Sequence, residues 1–179
     1  PFSEKIRVLL GYKQAHYSSV EIPVIMPKPL LMPLSGGYRK TPVMQNGADV
    51  YCDTAIICRL IDRLYPDSTI YPEAFDAANN ALANWTDTFF FRVAVAIAFQ
   101  PKAMMGNPLF SDPEAAAAFM ADRAELSKGG LQIRMEFEMA MPYFLAHMKH
   151  LDKQLSDGGF LFGDKPAAAD FSTYHCCWF

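Results

Sequence analysis

The sequence predicts a small α/β unit followed by an all-helical unit, and three observations lead to this prediction. An Asn-Gly pair at positions 46–47 lies between two short segments of strand-forming composition, which is typical of a two-stranded hairpin. An Asp-Thr pair at 53–54 follows the hairpin and precedes apolar residues at helical spacing, as at the start of a helix. From about residue 73 onward, almost every segment has a helical pattern.

The region before the hairpin is predicted to hold a helix, a strand and a loop. Residues 1–11 have an apolar helical face, and Gly11 is placed to end the helix. Residues 17–22 are rich in β-forming residues and predict a strand. Residues 23–37 contain four prolines and end in a glycine pair, which predicts a loop.

The hairpin and the helix after it complete the α/β unit. Residues 41–45 predict its first strand, Asn46-Gly47 its turn and residues 48–51 its return strand. Asp53-Thr54 begins a helix that ends near Tyr65-Pro66. The apolar face of that helix is Ile56, Ile57, Leu60, Ile61 and Leu64. Helix, strand, connection, hairpin and helix in this order match a thioredoxin-like fold without its first strand.

The rest of the chain is predicted to be helical after a short linker. Residues 67–72 form the predicted linker, so the predicted domains are residues 1–66 and 73–179. The predicted helices are residues 75–99, a helix from Asp112-Pro113 to Gly129-Gly130, residues 132–155 with a kink at Pro142, and residues 166–179.

Pro42 makes the first hairpin strand unusual. It has no backbone N–H for a sheet, so it belongs at the start or edge of a strand, and it holds Thr41 in an extended conformation. The backbone of Thr41 is then free to pair with an extended ligand. Asp53, Thr54 and the N–H groups of a helix start suit a ligand end that carries both an ammonium and a carboxylate.

These motifs resemble the glutathione-binding half of a known family. In order they are Lys40-Thr41-Pro42-Val43, a hairpin, Asp53-Thr54 and a helix. This order is similar to that of the cytosolic glutathione transferases (glutathione S-transferases), and the likeness is to a bacterial-type member. Relative to that family, the chain is expected to lack the first strand and the C-terminal part.

The resemblance implies how glutathione would be held. The peptide bond before Pro42 would be cis, and the backbone of Thr41 would pair with the cysteinyl part. Asp53 and Thr54 would hold the γ-glutamyl end, although an Asp-Thr pair is also an ordinary helix cap. Lys40 would meet the glycyl carboxylate, or else be a solvated loop lysine.

A second point of resemblance lies at residues 163–171. The family carries a hydroxyl residue and an aspartate three positions apart at the start of a buried helix. Asp170 keeps the acid, whereas Ala167 stands in place of the hydroxyl residue. We therefore expect the reciprocal capping pair to be broken, at a cost of about 1 kcal/mol.

Ser3 is the candidate for activating the glutathione thiol. A free thiol titrates near 8.5, and a helix N-terminus with a hydroxyl donor lowers that value. Many family members place Ser or Cys directly before Pro-Phe, whereas this chain begins at Pro1-Phe2, so Ser3 is the hydroxyl left at that helix end. The alternative is an ordinary first-turn serine.

Composition and charge limit the other possibilities. The net charge of -3 gives no electrostatic argument for binding nucleic acid or membranes, and no segment predicts a membrane span. Four cysteines without regular spacing indicate reduced thiols in the cytoplasm. His147 and His150 share a helix face but have no cysteine or carboxylate ligand at metal spacing, so no metal site is predicted.

The helical half is rich in apolar side chains that form either its core or a pocket wall for an apolar electrophile. They are Trp85, Phe89, Phe90, Phe91, Met104 and Met105.

The resemblance thus implies a homodimeric glutathione transferase that conjugates the glutathione thiolate to a small apolar electrophile, as in detoxification. Two alternatives remain open. One is a glutathione-dependent enzyme of other chemistry, such as a dehalogenase, isomerase or thiol reductase. The other is a non-catalytic binding or scaffold protein with the same fold.

Overall fold

The computed structural model describes residues 1–129 and 133–179 of the chain. One antiparallel hairpin, β1 (Val43–Asn46) and β2 (Asp49–Cys52), forms the sheet of the described part. The helices are α1 (Phe2–Tyr12), α2 (Leu31–Leu34), α3 (Thr54–Leu64), α4 (Asp76–Trp85), α5 (Phe91–Ala98), α6 (Pro101–Met104), α7 (Pro108–Ser111), α8 (Pro113–Ser127), α9 (Phe137–Gln154) and α10 (Ala168–Trp178). Within the described residues, no helix is both long and apolar enough to span a membrane.

Two hydrophobic clusters hold these elements together. In the first, α1 packs against α3 and α10, and each buried Leu or Ile stabilises by roughly 1.5–3 kcal/mol. Its buried members are Ile6, Leu9, Leu10, Ile57, Cys58, Ile61, Ile70, Ala168 and Phe171. The second joins α5, α9 and α10 around Phe90, Val93, Ala94, Ala140 and Cys176. Because α10 contributes to both, it connects the hairpin half to the helical half.

The hairpin is confirmed, but its turn lies one residue later than predicted. Val43 pairs with Cys52 and Asn46 pairs with Asp49, so the turn residues are Gly47 and Ala48. Gly47 has φ 62°, which glycine adopts without steric cost. Since Asn46 remains in the strand, the glycine occupies the first turn position, as in a type II′ turn.

The predicted strand at residues 17–22 is wrong. This segment has no regular structure, and Tyr17 and Val20 are 50% and 72% exposed. A β-forming composition needs a neighbouring strand to pair with, and none lies beside it in the part described. The following loop is confirmed in outline, although it contains the short helix α2.

The predicted first helix is confirmed, and it ends at Tyr12, one residue after Gly11. The backbone N–H of Lys13 bonds to the Leu9 carbonyl, and the chain turns away at Gln14, which has φ 53°. The Lys13 ammonium donates to Asp62 Oδ1 at 2.7 Å and to the Tyr65 and Ser68 carbonyls at 2.8 and 2.6 Å. These bonds connect the end of α1 to the end of α3 and the residues after it.

The helical half follows the prediction with two changes. The helix predicted over 75–99 is α4 and α5 joined by a π-helical turn, Thr86–Phe90. The helix predicted from residue 132 begins only at Phe137, because Glu136 has an extended backbone and its carbonyl accepts the first helical bonds. Gln132 and the predicted stop at Gly130 lie outside the described residues. Asp112 caps α8 as predicted, accepting from Glu114 and Ala115.

The predicted linker is tied closely to both halves. Ile70 is fully buried, and its N–H donates to Asp62 Oδ1 at 2.8 Å. Its carbonyl accepts from Asn79 Nδ2 at 3.0 Å and from the Ala168 N–H at 2.9 Å. Asn79 is also fully buried, and its Oδ1 accepts from the Ala169 N–H at 2.9 Å. One amide side chain thus joins the linker, α4 and α10.

The start of α10 carries half of a capping box. Asp170 accepts from the Ala167 N–H at 2.8 Å and from the Leu161 N–H at 2.9 Å. Ala167 has no side-chain acceptor to return a bond to the Asp170 N–H, as expected from the sequence.

Candidate functional site

The first part of the candidate site is the peptide before β1. The Thr41–Pro42 bond is cis, as the resemblance implied, and β1 begins at the next residue, Val43. β1 pairs with β2, beginning at Val43 and Cys52. Thr41, Pro42 and Val43 are half-buried. The Thr41 backbone therefore lies directly before the first paired residue of the sheet.

The second part is the start of α3. Asp53 is the N-cap, and its Oδ1 accepts from the Ala55 N–H at 2.8 Å. Asp53 has φ 79° and ψ 128°, a sparsely populated conformation that costs on the order of 1–3 kcal/mol and is frequent at functional sites. Its side chain is exposed and accessible to a ligand, whereas Thr54 is buried, at 8% exposure.

The hairpin register brings these two parts together. Because Val43 pairs with Cys52, the next positions outward are Pro42 and Asp53. Facing residues of an antiparallel pair lie about 4.5–5.5 Å apart at Cα. The sheet thus places the cis-proline segment beside the capped helix start.

Tyr38 is a neighbour of this site that the sequence analysis did not identify. Burial raises the pKa of its phenol, and the charges of Asp53 and Cys52 raise it further, so all three lie within electrostatic range. Tyr38 precedes Lys40 by two residues, and Lys40 itself is exposed. No sequence motif marks Tyr38, because its proximity to Asp53 depends on the fold of the loop.

Ser3 is less closely connected to the other predicted residues. It lies in the first turn of α1 and is exposed. α1 packs against α3, whose N-terminus carries Asp53, but the hydrogen bonds described for the site do not involve the Ser3 hydroxyl. The structure therefore brings Thr41, Pro42, Val43, Asp53 and Thr54 together, and leaves the role of Ser3 a prediction.

A buried ionic cluster lies under the start of α1. Lys5 Nζ contacts Asp87 Oδ2 at 2.6 Å, and His175 Nε2 contacts Asp87 Oδ1 at 2.9 Å. Lys5 and His175 are 2% and 0% exposed. Burial opposes ionisation of Asp87, but its bonds to His175 and Lys5 hold its pKa below the usual range. The Lys5 charge is therefore matched by Asp87.

The aromatic side chains of the helical half do not share one environment. Phe90 is fully buried, so it belongs to the core and not to a pocket wall. The half-buried side chains Trp85, Phe89 and Phe91 pack against the cluster that contains it. Met105, in contrast, is 79% exposed. Phe90 stacks on Phe144 with ring centroids 5.5 Å apart. A pocket wall built from all six predicted residues is therefore not formed.

The cysteines are free thiols, two of them buried and Cys177 exposed. Burial raises the pKa of Cys58 to about 11 and also raises the pKa of Cys176. Cys52, next to Asp53, is half-buried. Among the described residues, no three His, Cys, Asp or Glu side chains are grouped as metal ligands.

Comparison with known proteins identifies the class to which this fold and site belong. Residues 1–69 match the family model of the glutathione S-transferase N-terminal domain. The structure of a GST-like protein from Pseudomonas syringae is 39% identical, with a TM-score of 0.75 over 99% of this chain and 53% of that one. The chain thus spans about half the length of that relative. None of the curated proteins compared with the chain matches it.

More distant structures share the fold alone. A theta class glutathione S-transferase from Xanthomonas axonopodis pv. citri, with glutathione bound, is 20% identical with a TM-score of 0.56, over 99% of this chain and 77% of that one. The beta-etherase LigF from Sphingobium sp. strain SYK-6 is 16% identical with a TM-score of 0.67, over 98% and 78%.

The chain matches the glutathione S-transferase superfamily, through residues 1–69 and through the 39% identical GST-like structure. It combines a thioredoxin-like N-terminal domain with an all-helical C-terminal domain. The domain limits at residues 66 and 73 stay predictions.

Proposed function

We propose that this protein binds glutathione and, as a glutathione transferase, conjugates its thiolate to a small apolar electrophile. The observation that carries the proposal is the hairpin register, which sets cis-Pro42 beside the Asp53 cap. The Thr41 backbone and the exposed Asp53 carboxylate then lie within the reach of one extended tripeptide. Neither feature alone would be specific for a ligand.

Each end of the tripeptide meets complementary chemistry in this arrangement. The backbone N–H and C=O of Thr41 pair with the cysteinyl residue, and Val43, directly after cis-Pro42, lies beside the same part of the peptide. The γ-glutamyl ammonium meets the Asp53 carboxylate, while its carboxylate meets Thr54 and the N–H groups of α3. The exposed Lys40 is available to the glycyl carboxylate.

The chemical step needs glutathione as its thiolate. The thiolate attacks the electrophilic carbon, a C–S bond forms, the leaving group departs with its electron pair, and the thiol proton goes to solvent. The N-terminus of α1 favours the thiolate, and we propose that the Ser3 hydroxyl donates to the sulfur. Lys5 is not available as the counter-cation, since its charge is matched by Asp87.

The partners and location follow the resemblance. We propose a homodimer, consistent with the exposed apolar residues Ile56 and Leu64 on α3, and a reducing, cytoplasmic compartment, consistent with four free cysteines. The electrophile would contact the half-buried aromatic side chains of the helical half. Light scattering after gel filtration tests the dimer.

Calorimetric titration of glutathione tests the binding proposal, with Asp53→Asn as the variant. Asparagine keeps the cap and tolerates a positive φ, so the substitution removes only the charge. The asparagine oxygen can still accept, so a charged hydrogen bond is replaced by a neutral one at a cost of about 1–1.5 kcal/mol, which corresponds to about 5- to 10-fold weaker binding. Asp112→Asn is the matched control, because Asp112 caps α8 in the same way and should leave the affinity unchanged.

Two results would contradict this proposal. One is the absence of glutathione binding by the parent protein, and the other is equal affinity of the Asp53→Asn and Asp112→Asn variants. If glutathione binds, turnover of an aryl halide followed by absorbance tests conjugation. Full turnover by Ser3→Ala would remove Ser3 from the mechanism.

A further inference from the structure

A single carboxylate of α8 holds both ends of the loop that leads to the candidate site. Asp122 Oδ1 accepts from the Met26 N–H at 3.0 Å and from Arg39 Nη2 at 2.5 Å. Met26 lies near the start of the loop, and Arg39 lies two residues before Thr41. One oxygen atom therefore closes a loop of residues 26–39 onto a helix of the other domain.

The next residue of α8 reinforces this contact. Arg123 Nη2 donates to the Val24 carbonyl at 3.0 Å and also pairs with Asp122 Oδ2. Both oxygens of Asp122 are thus engaged, and its side chain is only 8% exposed. We call this set of contacts, Asp122 and Arg123 with Val24, Met26 and Arg39, the Asp122 clamp.

The electrostatics of the clamp favour an ionised carboxylate. Burial opposes the charge, but the bonds from Met26, Arg123 and Arg39 hold the pKa of Asp122 at about 2. A third cation, the 5%-exposed Lys28, donates to the Arg39 carbonyl at 3.4 Å. Burial and the two guanidinium groups lower the pKa of Lys28, while Asp122 raises it. Asp122 is the only acid in this group of four charged side chains, and the other three are Arg39, Arg123 and Lys28. Removing the Asp122 carboxylate would leave these three cations close together without a negative charge between them.

The loop between the clamped ends has internal order. Ser35 Oγ donates to the Tyr38 carbonyl at 2.7 Å, and the Gly37 N–H donates to the Met32 carbonyl at 2.9 Å. Leu31 is buried, at 6% exposure. A loop that is folded internally and fastened at both ends moves largely as one piece, so the clamp sets the position of its last residue, Arg39.

We propose that Asp122 is a positioning residue for glutathione binding, which it serves by fixing the direction in which the chain enters Lys40, Thr41 and cis-Pro42. This inference rests on the proposed function. Asp122 itself contacts the loop and not the ligand. Opening the clamp lets the entering chain sample other directions, and the apparent dissociation constant rises in inverse proportion to the fraction that stays competent.

Two measurements on Asp122→Ala test the proposal, with Asp112→Ala as the control. The control weakens the same helix by removing its N-cap but touches none of the clamp contacts. Amide hydrogen exchange should accelerate across residues 26–41 in Asp122→Ala only. If one molecule in ten keeps the competent geometry, glutathione should bind about tenfold more weakly to Asp122→Ala only.

Each outcome decides the proposal. Unchanged exchange at residues 26–41, or equal acceleration in both variants, overturns the clamp. Faster exchange with unchanged glutathione affinity makes Asp122 merely structural and overturns its positioning role. If the parent protein does not bind glutathione, the proposed function and the positioning role both fail, and the exchange measurement still decides whether the clamp exists.

A second variant keeps the test valid if Asp122→Ala does not fold. Arg39→Met removes the contact at the end of the loop and leaves Asp122 paired with Met26 and Arg123. For this variant too, we expect faster amide hydrogen exchange across residues 26–41 and weaker glutathione binding. In the Asp122→Ala background its effect on affinity should be smaller than in the parent, because both substitutions break one contact. Equal effects in both backgrounds would mean that Arg39 acts without Asp122.

Discussion

Replacing Asn79 by alanine should destabilise the whole chain, because its amide joins the linker to α4 and α10. Nδ2 donates to the Ile70 carbonyl at 3.0 Å, and Oδ1 accepts from the Ala169 N–H at 2.9 Å. Both ends of this bridge are fully buried, since Ile70 and Ala169 are each 0% exposed. Water therefore cannot replace the lost partners without opening the junction.

The expected loss in the free energy of unfolding follows from the hydrogen bonds that Ile70 and Ala169 lose. The Ile70 carbonyl keeps a second bond, from the Ala168 N–H at 2.9 Å, so its loss is partial. The Ala169 N–H is left without its acceptor, and an unsatisfied buried donor costs about 1–3 kcal/mol. With the packing lost around the missing amide, we expect about 3 kcal/mol, which corresponds to about 6–12 °C in Tm for a chain of this size.

Urea and thermal denaturation followed by circular dichroism measure this effect. Asn80→Ala is the control, because Asn80 lies next along α4 but makes its bonds, to Asp76 and Arg59, near the surface. That variant should change the free energy of unfolding by less than about 1 kcal/mol. A loss for Asn79→Ala no larger than that for Asn80→Ala would refute the reasoning.

Two further predictions concern α10. Burial lowers the pKa of His175 below 6.5, although Asp87 opposes the shift. The unfolded chain therefore binds more protons than the folded chain near pH 6. The free energy of unfolding should then fall as the pH is lowered from about 7 to about 5.5. Denaturation across this range should show a flatter profile for His175→Gln, and equal slopes would contradict the prediction. The Asp170 N–H already donates to the Ala167 carbonyl at 3.0 Å, so Ala167→Ser adds a second acceptor and should stabilise by only about 0.5 kcal/mol in urea denaturation, whereas Ala167→Val should not.

The features that the sequence predicts well are those whose causes are local. Asp53 and Asp112 cap their helices because an aspartate at such a position bonds to N–H groups within three residues of itself. The hairpin was predictable for the same reason, to within one residue at its turn. The cis bond at Pro42 came from the resemblance, since composition carries no signal for it.

What the sequence could not predict depends on distant partners. Residues 17–22 have the composition of a strand, yet a strand also needs a neighbour. Lys13 has no motif around it, yet its ammonium contacts Asp62, Tyr65 and Ser68 from about 50 positions along the chain. Asp122 looks like any charged residue on a surface helix until the fold brings Arg39 and Met26 to it from 83 and 96 positions away.

The π-helical turn at Thr86–Phe90 changes the direction in which the side chains of α5 face, relative to those of α4. An α-helix advances about 100° per residue, so one extra residue within a turn rotates everything beyond it by about that angle. This rotation lets α4 face α10 while α5 faces α9. If the same residues were wound as a uniform α-helix, Val93 and Ala94 would face about 100° away from their present direction and leave the core.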